Sequence, residues 1–121
     1  MFNNKNILIT GGTGYFGKQF ILRILNLYKP KKVIIFSRDE AKQYEIQNDK
    51  IFNNYLKSIR FFIGDVRDVD RLRLAMKDVH YVIHAAALKH VPSAEYNPTE
   101  CIRTNILGAE NVIRASIDCK V

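Results

Sequence analysis

A chain of 121 residues suits one domain and is too short for two, since domains commonly need about 100 to 150 residues. Hydrophobic residues make up 47% and charged residues 26%, a balance typical of globular proteins that excludes an intrinsically disordered chain. The net charge of +7 is scattered, with no basic run longer than Lys31-Lys32, so we expect no nucleic-acid partner.

Apolar runs are short throughout the sequence. Tyr81 to Ala87, one of the longest, falls far below the roughly 20 residues of a membrane-spanning helix. The first residues lead into a short apolar run without the long hydrophobic segment and cleavage site of a signal peptide. We therefore expect no membrane partner and a cytoplasmic location.

Strand and helix patterns alternate along the chain, as they do in parallel βαβ units. Four runs rich in β-branched and aromatic residues predict strands at Asn6 to Thr10, Lys32 to Ser37, Ile59 to Ile63 and Tyr81 to Ala85. Their apolar density predicts strands buried on both faces. Right-handed crossovers then predict an α/β fold, a Rossmann-type doubly wound parallel sheet in the strand order 3-2-1-4.

Helical patterns lie between these runs. From Tyr15 to Tyr28 one apolar face is predicted, formed by Phe16, Phe20, Ile21, Ile24, Leu25 and Tyr28. A second helix is predicted from about Asp39, whereas residues 50–57 fit either a helical extension or a loop. Asp68 is the expected N-cap of a third helix.

The last predicted helix has Asn97 as its N-cap and Pro98 at its first position, where the missing N–H costs nothing. Its buried stripe is expected to be Ile102, Ile106, Ala109, Ile113 and Ile117. A fifth strand should come next, but the chain ends at Val121. We therefore expect the sheet to be truncated before strand five.

Three glycines follow the first predicted strand at intervals of three residues: Gly11, Gly14 and Gly17. Gly11 permits a tight turn, Gly14 lets backbone N–H groups approach a pyrophosphate, and Gly17 allows close packing of helix on strand. Glycines also mark turns that have no function. Here they join the first strand to an amphipathic helix whose N-terminus favours an anion, which predicts a dinucleotide site.

The residues at the end of the second strand distinguish between the two nicotinamide cofactors. An acidic side chain there binds the ribose 2′-hydroxyl of NAD, whereas arginine beside a hydroxyl suits the 2′-phosphate of NADP. Ser37 and Arg38 occupy this position, and Lys42 follows, which favours NADP. Asp39 and Glu40 come one residue late, so NAD stays open as the alternative.

Longer strings of residues resemble a known family. The glycine turn, Gly64-Asp65-Val66, His84-Ala85-Ala86-Ala87 and Thr104-Asn105 are similar to the motifs of extended short-chain dehydrogenases/reductases. More narrowly, residues 37–40, 61–68, 84–92 and 94–98 resemble UDP-N-acetylglucosamine 4,6-dehydratases of the inverting kind, from flagellin-sugar and polysaccharide biosynthesis. The resemblance spans nearly the whole chain. It implies that residues 1–121 are an NAD(P)-binding Rossmann domain, incomplete at its C-terminal end.

The resemblance also implies roles for individual residues. Along the pyrophosphate would lie Thr13, Gly14, Tyr15 and Phe16, with Gly11 and Gly17 counted among the cofactor-binding residues. Around the adenosine 2′-phosphate would lie Ser37, Arg38, Asp39, Glu40, Ala41 and Lys42. Asp65 and Val66 would flank the adenine, and Ala85 would line the ribose on the nicotinamide side. Lys89 would contact both the cofactor and the sugar nucleotide, as suits a cation between two anionic ligands.

The implied activity is that of a lyase. Its chemistry oxidises the sugar at C4 with NADP⁺, eliminates water across C5 and C6, and returns the hydride to C6 with inversion at C5. It needs a general acid/base and a Tyr-x-x-x-Lys pair, which in the family follow strand five. Tyr28 and Lys32 match the spacing, but Pro30 would break the helix that aligns them. We therefore predict no catalytic residue in this chain, and no turnover by it alone.

The partners follow from the same resemblance. UDP-N-acetylglucosamine would be the substrate of the complete protein, and that protein would be a homo-oligomer. No motif predicts a metal site. Two alternatives stay open, namely another nucleotide-sugar dehydratase or epimerase of the same family and a non-catalytic NADP-binding module.

Overall fold

A computed structural model describes residues 1–85 and 98–121, with side chains over 1–85 and 107–121. In these ranges strands and helices alternate as the sequence predicted. The strands are β1 (Asn6–Thr10), β2 (Lys32–Ser37), β3 (Ile59–Ile63) and β4 (Tyr81–His84). The helices are α1 (Tyr15–Leu27), α2 (Glu40–Gln47), α3 (Val69–Ala75) and α4 (Pro98–Asp118), with a 3-10 helix (Lys50–Ser58) in the region that fitted either helix or loop.

The strands form one parallel sheet in the order β3-β2-β1-β4, which confirms the predicted α/β class and strand order. Thr10 lies opposite Phe36 on one side and His84 on the other, so the carboxyl ends of β1, β2 and β4 align at one edge. Loops that follow parallel strands meet at this edge, where ligands of open α/β sheets bind. We call it the carboxyl edge.

Helices cover both faces of the sheet. α1, α2 and the 3-10 helix pack on one face, around Ile21, Ile35 and Phe52. α3 and α4 pack on the other, around Leu8 and Leu72. Within the described ranges, no helix is both long enough and apolar enough to cross a membrane.

Burial of the strands is less uniform than predicted. β1 and β2 are buried on both faces, whereas residues of β3 and β4 are partly exposed. Ile63 at the end of β3 keeps 38% of its surface exposed. The prediction is therefore right for the two inner strands and wrong for β3 and β4. Within the described residues, each of these two outer strands has a neighbouring strand on one side only.

The buried face of α4 also differs from the predicted stripe. Ile113 and Ile117 are 60% and 71% exposed, and Ala109 is partly buried. The buried residues are instead Gly108, Asn111, Val112 and Ala115. A Cβ on Gly108 would lie 2.7 Å from Cγ2 of Val66, so the helix turns its smallest residue toward this contact. The side chains of Ile102 and Ile106 lie outside the described residues.

Candidate functional site

The glycine turn joins β1 to α1 at the carboxyl edge. Gly11 has a φ of 71°, in the left-handed region that favours glycine, as the predicted tight turn requires. Among the described residues, a Cβ on Gly14 would meet only Gly11 O, at 3.6 Å, so the space beside the turn is open. A Cβ on Gly17 would lie 2.5 Å from Cα of Gly12. The close packing predicted for Gly17 is therefore against the turn itself.

α1 begins at this turn without a side-chain cap. Gly14 is the N-cap and carries no side-chain acceptor, and the first helical turn contains no acidic residue. The first N–H groups of a helix lack partners within it and lie at the positive end of its dipole. The prediction that Phe16 lies on the buried face of α1 is wrong, since Phe16 is 61% exposed and the buried face consists of Gly17, Ile21, Ile24 and Leu25. The turn suits an anion.

The end of β2 lies beside the glycine turn, where Gly11 N donates to Phe36 O at 3.0 Å. Arg38 follows the strand, and its side chain is 59% exposed. The Asp39 carboxylate accepts a hydrogen bond from the backbone N–H of Lys42 at 3.0 Å and so caps α2. Asp39 therefore has a structural partner already, while the guanidinium of Arg38 faces solvent.

Gly64 brings the loop after β3 against the end of β2. A Cβ on this residue would lie 2.5 Å from Cζ of Phe36, a distance that side chains do not reach. Gly64 N also donates to Ser37 O at 2.9 Å. As a result Asp65 lies near Arg38, with 3.9 Å between Oδ2 and Nη1.

Asp65 is held more closely by Arg67, a residue the motifs did not single out. Nη2 of Arg67 lies 2.7 Å from Oδ2, and Nε lies 3.1 Å from Oδ1. The side-chain hydrogen bond from Arg67 is the main cause that lowers the pKa of Asp65, against an opposing effect of burial. The backbone N–H of Arg67 also donates to Oδ1 at 2.9 Å, an Asx turn whose sequence signal is the aspartate two residues earlier.

Val66 connects this loop to α4. Its carbonyl oxygen accepts a hydrogen bond from the side chain of Asn111 at 3.0 Å, and Asn111 is 5% exposed. Val66 itself packs against the core beneath α3 and α4. The residues predicted to flank an adenine therefore belong to a loop whose backbone is held from both sides.

The junction after β4 is organised by Thr10. Ala85 N donates to Thr10 O at 3.0 Å and to its hydroxyl oxygen at 3.1 Å, which holds Ala85 at the carboxyl edge. The same hydroxyl lies 2.6 Å from Nδ1 of His84, and burial lowers the pKa of His84. His84 is thus hydrogen-bonded to β1. Lys89 and His90 lie outside the described residues.

Tyr28 lies at the opposite edge of the sheet. Its ring packs against Phe2 with centroids 5.3 Å apart, and Phe2 packs against Tyr81 at 5.1 Å. Tyr81 opens β4, so this cluster marks the amino ends of the strands. α1 ends at Leu27, before Tyr28, so the helix that a catalytic Tyr-x-x-x-Lys pair requires does not continue to Lys32.

Known proteins resemble the chain over its full length. A family described as polysaccharide biosynthesis protein matches residues 7–121. An inverting UDP-N-acetylglucosamine 4,6-dehydratase of Campylobacter jejuni subsp. jejuni serotype O:23/36 (strain 81-176) is 63% identical over 118 residues, 98% of this chain and 34% of that protein. A UDP-glucose 4-epimerase of Rickettsia bellii (strain OSU 85-389) is 52% identical, over 100% of the chain and 35% of the relative. The chain therefore spans about a third of these relatives.

Solved structures also match the fold of this chain. Pen from Bacillus thuringiensis matches with a TM-score of 0.88 and 48% identity, over 100% of this chain and 36% of the other. A UDP-glucose-4-epimerase from Stenotrophomonas maltophila, with bound NAD and formylated UDP-arabinopyranose, matches with a TM-score of 0.78 and 27% identity, over 97% and 34%. These matches and the dehydratase relatives confirm the fold and the resemblance that the motifs indicated.

Proposed function

The chain belongs to the polysaccharide biosynthesis protein family, and from this premise we propose that it is the NADP-binding part of an inverting UDP-N-acetylglucosamine 4,6-dehydratase. The identity of 63% to a dehydratase of that name, against 52% to an epimerase, supports this activity over the epimerase alternative. The substrate, the homo-oligomeric state and the cytoplasmic location of the complete protein belong to the same proposal.

The described residues fit a dinucleotide at the carboxyl edge. The glycine turn offers open space beside Gly14, a helix N-terminus and no acidic side chain in the first turn of α1. Thr13, Gly14, Tyr15 and Phe16 would then follow the pyrophosphate, between the close-packed Gly11 and Gly17. The loop of Asp65 and Val66 would take the adenine side, and Ala85 with Lys89 the nicotinamide side.

One observation carries the choice of NADP over NAD: Arg38 follows β2 with 59% of its side chain exposed, while Asp39 and Asp65 each have a closer partner than Arg38. Asp39 caps α2, and Asp65 is paired with Arg67. A ribose 2′-phosphate placed beside Ser37 would meet the guanidinium of Arg38, which suits an anionic ligand. Glu40, Ala41 and Lys42 in the first turn of α2 would complete this side of the site.

NADP, when bound, supplies the hydride acceptor for oxidation of a sugar carbon and the donor for the later reduction. The residues of this chain bind and orient it. Those that act on the sugar itself are expected outside residues 1–121, as the family chemistry implies.

The cofactor proposal is tested by titrating the intact protein with NADP⁺ and NAD⁺ in a calorimeter. We expect Arg38→Ala to weaken NADP⁺ binding about 10- to 100-fold, as the loss of a charge-assisted contact predicts, and to leave NAD⁺ binding within about threefold. The matched control is Arg23→Ala, which removes an exposed arginine of α1. Equal affinity of the unaltered protein for both cofactors would contradict NADP specificity.

The activity proposal is tested by product analysis with UDP-N-acetylglucosamine. We expect a 4-keto, 6-deoxy sugar with inverted C5. A product with unchanged C5 indicates a retaining dehydratase, and a C4 epimer indicates an epimerase, which the 52% identity to a UDP-glucose 4-epimerase keeps as the second candidate. Tight NADP⁺ binding without any product would favour a non-catalytic module.

A further inference from the structure

Gln43 is a buried polar side chain at the carboxyl edge for which the proposed function gives no role. It is 3% exposed and lies in α2, on the same face as the buried Ile46. A polar residue three positions before a core isoleucine is the only sequence signal for it. Its burial calls for hydrogen-bond partners.

The partners of Gln43 are the ends of two strands. Its Nε2 lies 2.8 Å from the hydroxyl oxygen of Ser37, 3.3 Å from Ser37 O and 3.2 Å from Phe62 O. Carbonyl oxygens only accept hydrogen bonds, so the NH2 group of the amide, and not its oxygen, must face them. The orientation of the amide therefore follows from its surroundings, and Gln43 acts here as a donor.

This arrangement constrains the hydroxyl of Ser37. A hydroxyl has one hydrogen to donate and two lone pairs that accept. The hydrogen bond from Gln43 occupies a lone pair and turns the hydrogen away from the amide. Ser37 O is also occupied, because it accepts from Gly64 N at 2.9 Å. Within the described residues, no acceptor receives the Ser37 hydroxyl hydrogen.

We infer that Gln43 is a positioning residue that presents the Ser37 hydroxyl as a donor to the 2′-phosphate of NADP, and that it thereby contributes to discrimination against NAD. The inference rests on the proposed function. A phosphate oxygen only accepts, so it benefits from a hydroxyl whose hydrogen is directed outward. The 2′-hydroxyl of NAD both donates and accepts, so it tolerates either orientation of Ser37.

The first test is Gln43→Met in the intact protein, which keeps a side chain of similar length without a donor. Without the amide donor, the hydrogen of the Ser37 hydroxyl is no longer turned away from α2. We expect NADP⁺ affinity to fall about 5- to 10-fold and NAD⁺ affinity to stay within about twofold, so that the ratio of the two shrinks. Gln47→Met, at the exposed end of α2, is the matched control and should leave the ratio unchanged.

The second test asks whether Gln43 acts through Ser37. In a Ser37→Ala background, Gln43→Met should have no further effect on NADP⁺ affinity, because the hydroxyl that it orients is gone. Additive losses would overturn the inference, as would equal losses for NADP⁺ and NAD⁺. If Gln43→Met does not fold, Gln43→Leu provides the same ratio test, since it also removes the amide donor and carries no charge.

The two proposals fail differently. If the unaltered protein does not prefer NADP⁺, the proposed cofactor is wrong. If it prefers NADP⁺ and Arg38→Ala leaves that preference unchanged, the role of Arg38 is wrong. If Arg38→Ala acts as expected and Gln43→Met leaves the affinity ratio unchanged, only the role of Gln43 is wrong. These outcomes are read from binding constants, independently of catalytic activity.

Discussion

The glycine turn and the end of β2 lie side by side at the carboxyl edge, and they are built in different ways. The glycine turn is made of backbone, packed so closely that a Cβ on Gly17 would lie 2.5 Å from Cα of Gly12, and it leaves open space beside Gly14. The end of β2 is made of side chains held by other side chains, such as Ser37 by Gln43 at 2.8 Å. The first depends on missing Cβ atoms, and the second depends on hydrogen-bond networks.

This difference predicts separate roles in cofactor binding for the two regions. Backbone N–H groups bind any pyrophosphate, and both nicotinamide cofactors carry one, so the glycine turn supplies affinity without choosing between them. The side chains at the end of β2 face the part of the adenosine in which the cofactors differ. Changes in the turn should therefore affect folding or all binding, whereas changes at Ser37, Arg38 or Gln43 should affect selectivity.

The largest effect is expected for Gly17→Ala, which tests whether the glycine turn depends on missing Cβ atoms. The new Cβ would lie 2.5 Å from Cα of Gly12 and 2.7 Å from Gly11 O, and backbone cannot rotate away as a side chain can. We expect a loss of about 3 kcal/mol in the free energy of unfolding, measured by urea denaturation. A loss below about 1 kcal/mol would show that the turn is more adaptable than its packing indicates.

Gly14→Ala separates binding from folding within the same turn. Its Cβ would meet only Gly11 O among the described residues, at 3.6 Å, so the stability cost should stay at or below about 1 kcal/mol, as for a helix N-cap. The methyl group would, however, enter the space proposed for the pyrophosphate. We expect NADP⁺ and NAD⁺ affinities to fall together, by about tenfold or more. A loss of affinity for only one of the two cofactors would contradict the separate roles of the two regions.

A smaller effect is expected from the titration of His84, at the junction after β4. Burial lowers the pKa of His84 below its ordinary 6.5 in the folded chain, so the folded state binds fewer protons than the unfolded state. Its contribution to stability is present above pH 6.5 and is lost as the pH falls from there through the folded pKa. The urea midpoint should fall on acidification, and His84→Gln should reduce that fall. An unchanged slope would count against this assignment.

The smallest effect is expected for Asp65→Asn, in the loop after β3, where side chains form ion pairs beside the end of β2. Hydrogen bonds from Arg67 lower the pKa of Asp65, so its contribution is present above the ordinary pKa of 3.8 and is lost as the pH falls through the folded pKa. The pair is partly exposed, so we expect a loss below about 1 kcal/mol at neutral pH. Urea midpoints at acidic pH should then vary less with pH than in the unaltered protein. A steeper dependence would contradict the pairing.

Much of the fold could be predicted, because its signals are local. The bounds of β1, β2 and β3 agree with the predicted strands to the residue, and Asp68 caps α3 as expected, accepting from Arg71 N at 3.1 Å. The positive φ of Gly11 was predicted as well. Each of these follows from side-chain alternation, from capping chemistry or from the conformational freedom of glycine.

Other features depend on contacts between distant parts of the chain. A Cβ on Gly12 would lie 3.0 Å from Ile9 and 3.1 Å from Ile35, on two different strands, so these side chains would have to shift. The donor role of Gln43 appears only when α2 lies over the ends of β2 and β3. Neither residue stood out in the sequence, since spacing along the chain does not show which atoms meet across the sheet.

The sequence by itself determined the order of strands and helices, the parallel winding and the glycine turn, because periodicity, capping and backbone freedom act within a few residues. Tertiary structure alone decided which face of α4 is buried, where Gly108 meets Val66, and how the polar groups at the end of β2 are paired. Helical periodicity allows more than one buried face, and only close packing against the rest of the fold selects among them. The same holds for Ser37, whose hydroxyl acquires a direction only from Gln43, on a different element of the fold.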